Sequence, residues 1–313
     1  MTTFASSRII TQKIFEATFR TYFIGFDKDD KGIEYYRIKK LIDLLTRAVP
    51  NFAFAYHEEI DGYNAVEKLQ EAAESIYRIK EFRDTYEIYK RDGALTDDNI
   101  QKKYLARGEF GELILHLLLR DFHETIPLLS KIYFKDSQGV PAHGFDAVHI
   151  HPESESLWLG ESKLFSNPHR GIDDMIKSIK DHFMMDYLQA EFAIVSKRIK
   201  PYKKIPKQKY WLNLMHSDRT LGEYLKSVTI PLLLTYSSKN FEKPFEIESE
   251  FIEAFKKEVF EIKQYFESNS KTEIKTNLNI ILMLFPVKSK NELVAGLHEK
   301  LFLMQNLQSQ RGI

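Results

Sequence analysis

Asp146, Glu161 and Lys163 are the side chains whose types and spacing could do chemistry together. Two β-favouring runs, 144–151 and 157–163, flank the polar stretch Pro152-Glu153-Ser154-Glu155-Ser156, a pattern that predicts a hairpin. With the turn centred between Glu153 and Ser154, Val148 opposes Leu159 and Asp146 opposes Glu161, their Cβ atoms about 4.5–5.5 Å apart. Lys163, two residues further on, points to the same face. Towards the turn that face carries Val148, Ile150, Leu157 and Leu159. An apolar face that ends in two carboxylates and a lysine is costly to bury unless the charges pair or bind something. The hard oxygens of Asp146 and Glu161 suit Mg2+, with Mn2+ as a substitute; the alternative is a cross-strand salt-bridge cluster on an exposed hairpin. Register decides the matter, because a one-residue slip would turn Glu161 and Lys163 away from Asp146.

The elements that must position this hairpin read as an α/β domain with a central mixed β-sheet flanked by helices. Residues 109–122 form a helix that is apolar nearly all round. Its polar members Glu109, Glu112, His116, Arg120 and His123 fall within an arc of roughly 80°. Residues 131–135 read as a strand, and 172–187 as a helix with Ile172, Met175, Ile176, Ile179 and Phe183 on one side. The segment 188–199 fits helix or strand. Residues 228–236 and 278–287 read as buried strands, and 250–268 and 290–307 as amphipathic helices.

The first hundred residues read as an N-terminal mixed α/β region. A helix is expected at 35–48, a strand at Phe52-Ala53-Phe54-Ala55-Tyr56, and a long amphipathic helix over 64–90. Polar breaks at Asp92-Gly93 and at 96–99 set a soft boundary, giving a region 1–100 and a domain 101–313. Asp27-Lys28-Asp29-Asp30-Lys31-Gly32 starts like a calcium loop, but Ile38 stands where the twelfth-position glutamate is needed.

Composition narrows the class. With no cysteine, disulfides and thiolate metal sites are excluded, and a reducing cytosol is compatible. No run approaches the ~18 apolar residues of a membrane span, and the N-terminus lacks the pattern of a signal peptide. Lys+Arg and Asp+Glu both total 45. A protein that grips nucleic acid alone is usually basic overall, so contact with DNA would need a local patch or a partner.

Asp146 followed by Glu161-Ser162-Lys163 resembles the D…(D/E)-x-K signature of the PD-(D/E)xK nuclease superfamily. More narrowly, Gly108-Glu109-Phe110-Gly111-Glu112, Gly144-Phe145-Asp146 and Leu157-Trp158-Leu159-Gly160-Glu161-Ser162-Lys163 resemble the nuclease subunit of the Hachiman antiphage defence system, over roughly residues 105–310. Phe145 stands where the superfamily has the proline of its name. The resemblance implies a restriction-endonuclease-like core, a metal-dependent DNA-cutting activity and a helicase subunit as partner. It implies that Asp146 and Glu161 hold Mg2+ with the Ser162 carbonyl as a further ligand, and that Glu112, with Glu109 as substitute, completes the shell. Lys163 would orient or help deprotonate the attacking water and offset phosphate charge. Such hydrolysis needs charge neutralisation on a pentavalent transition state, and a divalent cation also makes water a better nucleophile.

Other residues carry weaker signals. His149 and His151 lie on the other hairpin face with Trp158 and Ser162; lacking a third ligand, they read as packing or surface histidines rather than a zinc pair. His169 and Arg170 open the next helix, as phosphate contacts or plain surface residues. Residues 196–211 hold Lys197, Arg198, Lys200, Lys203, Lys204, Lys207 and Lys209 without an acid, interleaved with Tyr202, Tyr210 and Trp211. Basic side chains track phosphates and aromatics stack on bases, so this is the expected nucleic-acid contact; the alternative is a solvated loop. No G-x-x-x-x-G-K-[ST] and no G-x-G-x-x-G is present, which assigns any ATP-driven step to a partner.

The whole reads as a cytoplasmic, Mg2+-dependent deoxyribonuclease, the effector of an antiphage complex directed by a helicase. Residues 1–100, which have no chemistry assigned, are the expected docking segment. The alternatives are a catalytically inactive DNA-binding or scaffold subunit, and a stand-alone restriction- or junction-type nuclease.

Overall fold

The computed structural model describes residues 8–54, 65–77, 80–93, 108–130, 144–182, 185–200, 205–216, 226–242, 248–270 and 278–305. Two runs rich in apolar residues, β8 (Val228–Ser237) and β9 (Asn279–Val287), sit side by side near the middle of a seven-stranded sheet. Such runs are buried on both faces, as parallel strands require. The order is β1 (Ile10–Phe15), β2 (Phe19–Ile24), β9, β8, β7 (Ser156–Phe165), β6 (Ala147–His151), β5 (Ile126–Ser130). β2, β9, β8 and β7 run parallel, while β1, β6 and β5 add antiparallel at the edges. This is the central mixed sheet expected from the sequence. Two of its strands come from the first hundred residues, since β2 pairs directly with β9.

Helices cover both faces. α4 (Glu109–Phe122) lies against β7 and is itself covered by α1 (Ile38–Phe54), on which α9 (Lys290–Gln305) packs. On the other face α5 (Pro168–His182) packs on β7 and β8, and α8 (Glu248–Ser270) packs on α5. The pleat sorts the residues of β7 between them. A Cβ at Gly111 of α4 would come within 3.2 Å of Ser162 Oγ, and one at Gly171 of α5 within 3.4 Å of Phe165 Cβ. Even-numbered residues of β7 therefore face α4 and odd-numbered ones face α5. Gly160 lets the layers close: a side chain there would meet Leu115 Cδ2 at 2.8 Å, and Ala147 Cβ and Pro231 Cγ at 3.3 Å. The β7–β8 ladder also pauses opposite Ile230 and Pro231, because proline has no N–H to donate.

The hairpin has the expected register. Ala147 pairs with Gly160, Val148 with Leu159, and Ile150 with Leu157. Glu155 takes the left-handed conformation in the turn, at φ 50°.

Several local expectations change. Residues 52–54 are the last turn of α1, not a strand; a short apolar run is ambiguous by periodicity, and here it continues the helix past Pro50. The segment 64–90 is two helices, α2 (Ala65–Tyr77) and α3 (Lys80–Asp92). The segment 188–199 resolves as helix, within α6 (Met185–Ile199). The strand beside β6 is Ile126–Ser130, while the expected strand at 131–135 lies outside the described residues. The Asp27–Gly32 turn joins β3 (Phe26–Lys28) to β4 (Glu34–Tyr36), and Asp29 Oδ1 accepts the Lys31 and Ile33 N–H groups at 2.9 and 2.8 Å, a purely local role. No described helix is long and apolar enough to cross a membrane.

Candidate active site

The site begins where β6 starts and β7 passes its midpoint. Asp146 immediately precedes β6, and its Oδ2 accepts the Ser162 N–H at 2.8 Å and the Ser162 hydroxyl at 3.0 Å. Two donors on one oxygen fix the carboxylate against β7. Glu161 points to the α5 face, 2% exposed. Burial pushes its carboxyl above the usual range; the charge of Asp146 adds to the rise, and the hydrogen bond from His182 opposes it. Lys163, on the same face, also favours the ionised form.

α5 runs back along β7 and meets both functional side chains. Lys163 Nζ lies 3.0 Å from Asp174 Oδ2, and eight residues on His182 Nδ1 lies 2.5 Å from Glu161 Oε1. The His182 ring stacks on Tyr187 with centroids 4.7 Å apart and takes the edge of Phe145 at 6.2 Å. Phe145 thus helps hold the imidazole on Glu161. Asp174 and His182 were not foreseen. The only sequence signal was that an Asp and a His eight apart share a helix face, and which face meets β7 is set by packing.

Glu112 is buried and Glu109 half-buried at the start of α4, on the sheet face to which Ser162 points. Among the described residues, no three His, Asp or Glu side chains are placed to share one ion. The donor set still fits Mg2+, which is commonly held by one or two carboxylates with water and phosphate completing its shell. Asp146 and Glu161 are hard and buried; burial first and the charge of Asp146 second raise the Glu161 carboxyl, and a divalent cation between them would favour the ionised forms.

In the polar stripe of α4, Glu112, His116 and His123 are buried and Glu109 and Arg120 half-buried. His116 Nε2 lies 2.8 Å from Asn51 Oδ1 of α1, and His149 Nδ1 lies 2.8 Å from Thr125 Oγ1. Burial drives the His149 imidazole down to about 3, helped by Arg120, so it is a neutral packing residue. His151 stacks on Trp158. His169 packs against Tyr265, and the Arg170 N–H caps onto Asn167 Oδ1.

The basic stretch divides. Lys197 and Lys200 at the end of α6, and Lys209 in α7 (Gln208–His216), are exposed. Lys207 is engaged by the hairpin turn, donating to Glu155 Oε1 at 2.7 Å and the Pro152 carbonyl at 3.0 Å. Lys203, Lys204 and the Arg198 side chain lie outside the described residues. Trp211 cannot stack on a base: it is wholly buried, and its indole N–H donates to the Pro206 carbonyl. An aromatic among lysines looked like a stacking platform, but at its place on α7 it is core.

A comparison with curated proteins finds no match. The HamA family model matches residues 3–301, nearly the full chain and including both strands contributed by the first hundred residues. The chain belongs to the HamA family, that of the Hachiman defence subunit.

Proposed function

We propose that this chain is a PD-(D/E)xK-type nuclease, the DNA-cutting subunit of a Hachiman antiphage pair that works with a helicase. The observation that carries the reading is the buried pair of carboxylates, Asp146 and Glu161, with Lys163 on the same strand face as Glu161. Asp146 and Glu161 would hold Mg2+ or Mn2+, with the Ser162 carbonyl as a further donor; Glu112, with Glu109 as substitute, stands on the α4 side of the sheet and would join the shell only through water. Bound there, the cation would neutralise phosphate charge and acidify water. The Ser162 N–H and hydroxyl keep Asp146 oriented. Lys163 would serve an attacking water or a phosphate oxygen once it leaves Asp174, and His182 would keep Glu161 oriented through its Nδ1 contact. Lys197, Lys200 and Lys209 would follow the backbone of the DNA, and ATP-driven steps belong to the partner.

A second reading has its own observation. Lys163 is paired with Asp174 and Glu161 with His182, an arrangement that also suits a DNA-binding subunit without turnover. The two separate in a degradation assay on linear and plasmid DNA with Mg2+, ATP and a Hachiman helicase subunit. The nuclease reading expects DNA loss with wild type, and a fall of about a hundredfold or more with Lys163→Ala. Intact DNA with both proteins under Mg2+ and Mn2+ would favour the scaffold.

A further inference from the structure

A cavity opens at the other end of the sheet from Asp146, where β7, β8 and β9 begin, on the α4 face. It measures about 570 Å3 and lies between the end of α4 and the edge of β1 and β2. Its volume falls in the range of small-molecule sites, about 300–1,000 Å3.

Arg20 of β2 lines this cavity and is 7% exposed, yet no carboxylate among the described residues pairs with it. Its Nη1 donates to its neighbour's carbonyl, Phe19 O, at 3.2 Å, and its Nε has no partner. Glu16, an acid close in sequence, is held by Lys263 at 3.1 Å. The exposed Phe15 ring covers the guanidinium at 3.9 Å from its centroid. A buried guanidinium that feels the charge of Glu16 but forms no salt bridge is costly, and an oxyanion is its natural complement.

The opposite wall is aromatic. Trp158 lies between His123, with centroids 5.2 Å apart, and His151, stacked at 6.4 Å and 22°. Thr229 and Asn279 at the strand ends supply hydroxyl and amide groups, joined by an Asn279 Nδ2 to Thr229 Oγ1 bond of 2.9 Å. The negative end of α4 is blunted because Leu119 O already takes the His123 and Thr125 N–H groups.

We propose that this cavity binds a phosphorylated nucleotide, its phosphate on Arg20 and its base beside the half-buried His151 ring that stacks on Trp158, either free or at the 5′ end of a strand. The site is separate from the Asp146–Glu161 centre and does not depend on the reaction assigned there.

The test is calorimetry on the full chain in EDTA. The ligands are the four nucleoside 5′-monophosphates, the parent nucleosides, inorganic phosphate, and single-stranded oligonucleotides with and without a 5′-phosphate. A phosphorylated nucleotide is expected to bind at least about tenfold tighter than nucleoside or phosphate alone, and Arg20→Met to weaken it about tenfold or more. Unliganded Arg20→Met should melt no lower than wild type, since it removes an unpaired buried charge. Binding of the monophosphates identifies a free nucleotide; tight binding of the 5′-phosphorylated oligonucleotide alone identifies a strand end. Absence of binding, equal binding of nucleosides, or full binding by Arg20→Met would overturn the proposal. Should Arg20→Met fail to fold, quenching of Trp158 emission by the monophosphates, lost in Trp158→Phe, is the expected result, and unquenched emission is the contrary one.

Discussion

Replacing Glu161 by Gln is expected to cost about a hundredfold or more of DNA degradation and to leave the fold at least as stable as before. The two halves of that expectation come from the same burial. Glu161 is 2% exposed, and its ionised form is opposed by desolvation and by Asp146. The amide removes that penalty while keeping an oxygen for His182 Nδ1, which now sits 2.5 Å from Oε1. A residue there only to stabilise the fold would lose stability on losing its charge. A catalytic carboxylate would lose turnover alone. Degradation assayed beside a thermal melt of the same preparation separates them, and a variant that melts lower and cuts normally would remove Glu161 from the site.

Acid should unfold the protein steeply below about pH 4.5 and only gradually above it. His116, His123 and His149 are buried, and burial lowers all three imidazoles, His123 to about 4 and His149 to about 3. An unfolded histidine titrates near 6.5. Below that pH the unfolded chain takes up protons that the native state refuses. The stability held above about 6.5 is therefore lost as pH falls towards 4 and 3, at about 1.4 kcal/mol per pH unit for each proton. Glu161 and Glu258 act the other way. Desolvation raises both, so they weaken the fold as pH rises above their unfolded value near 4.5 and give stability back on acidification. The two sets partly cancel between 6.5 and 4.5, and only the histidines remain below. Urea midpoints measured from pH 7.5 to 4 should trace that break. His149→Leu should flatten the acid limb by about one proton, and an unchanged limb would contradict the assignment.

The hairpin was legible because its two signals are local: a polar turn of five residues and alternation on either side, which together leave one register. β8, β9 and α4 were legible for a similar reason, as long apolar runs of one period. β2 was not. Its sequence Phe-Arg-Thr-Tyr-Phe-Ile puts Arg20 and Thr21 inside a strand buried along its length; Thr21 Oγ1 takes the Ile14 N–H only in three dimensions, and Arg20 Nε is left without a partner. The candidate site shows the same divide. Glu161 and Lys163 share a face by strand alternation, whereas Asp146 stands just before β6 and is fixed by Ser162, and Asp174 and His182 depend on the rotation of α5 against β7. Trp211 failed in the opposite direction, since its neighbours in sequence suggested a surface and its packing made it core.

The central claim is that Asp146 and Glu161 jointly hold a divalent cation. Mn2+ titration of the isolated full chain, followed by calorimetry and by the electron paramagnetic resonance of free Mn2+, tests it without any assay of cutting. One saturable site is expected in wild type, lost in Asp146→Asn and in Glu161→Gln alike, and kept in Lys163→Met. Mn2+ binding that survives both carboxylate substitutions would contradict the account.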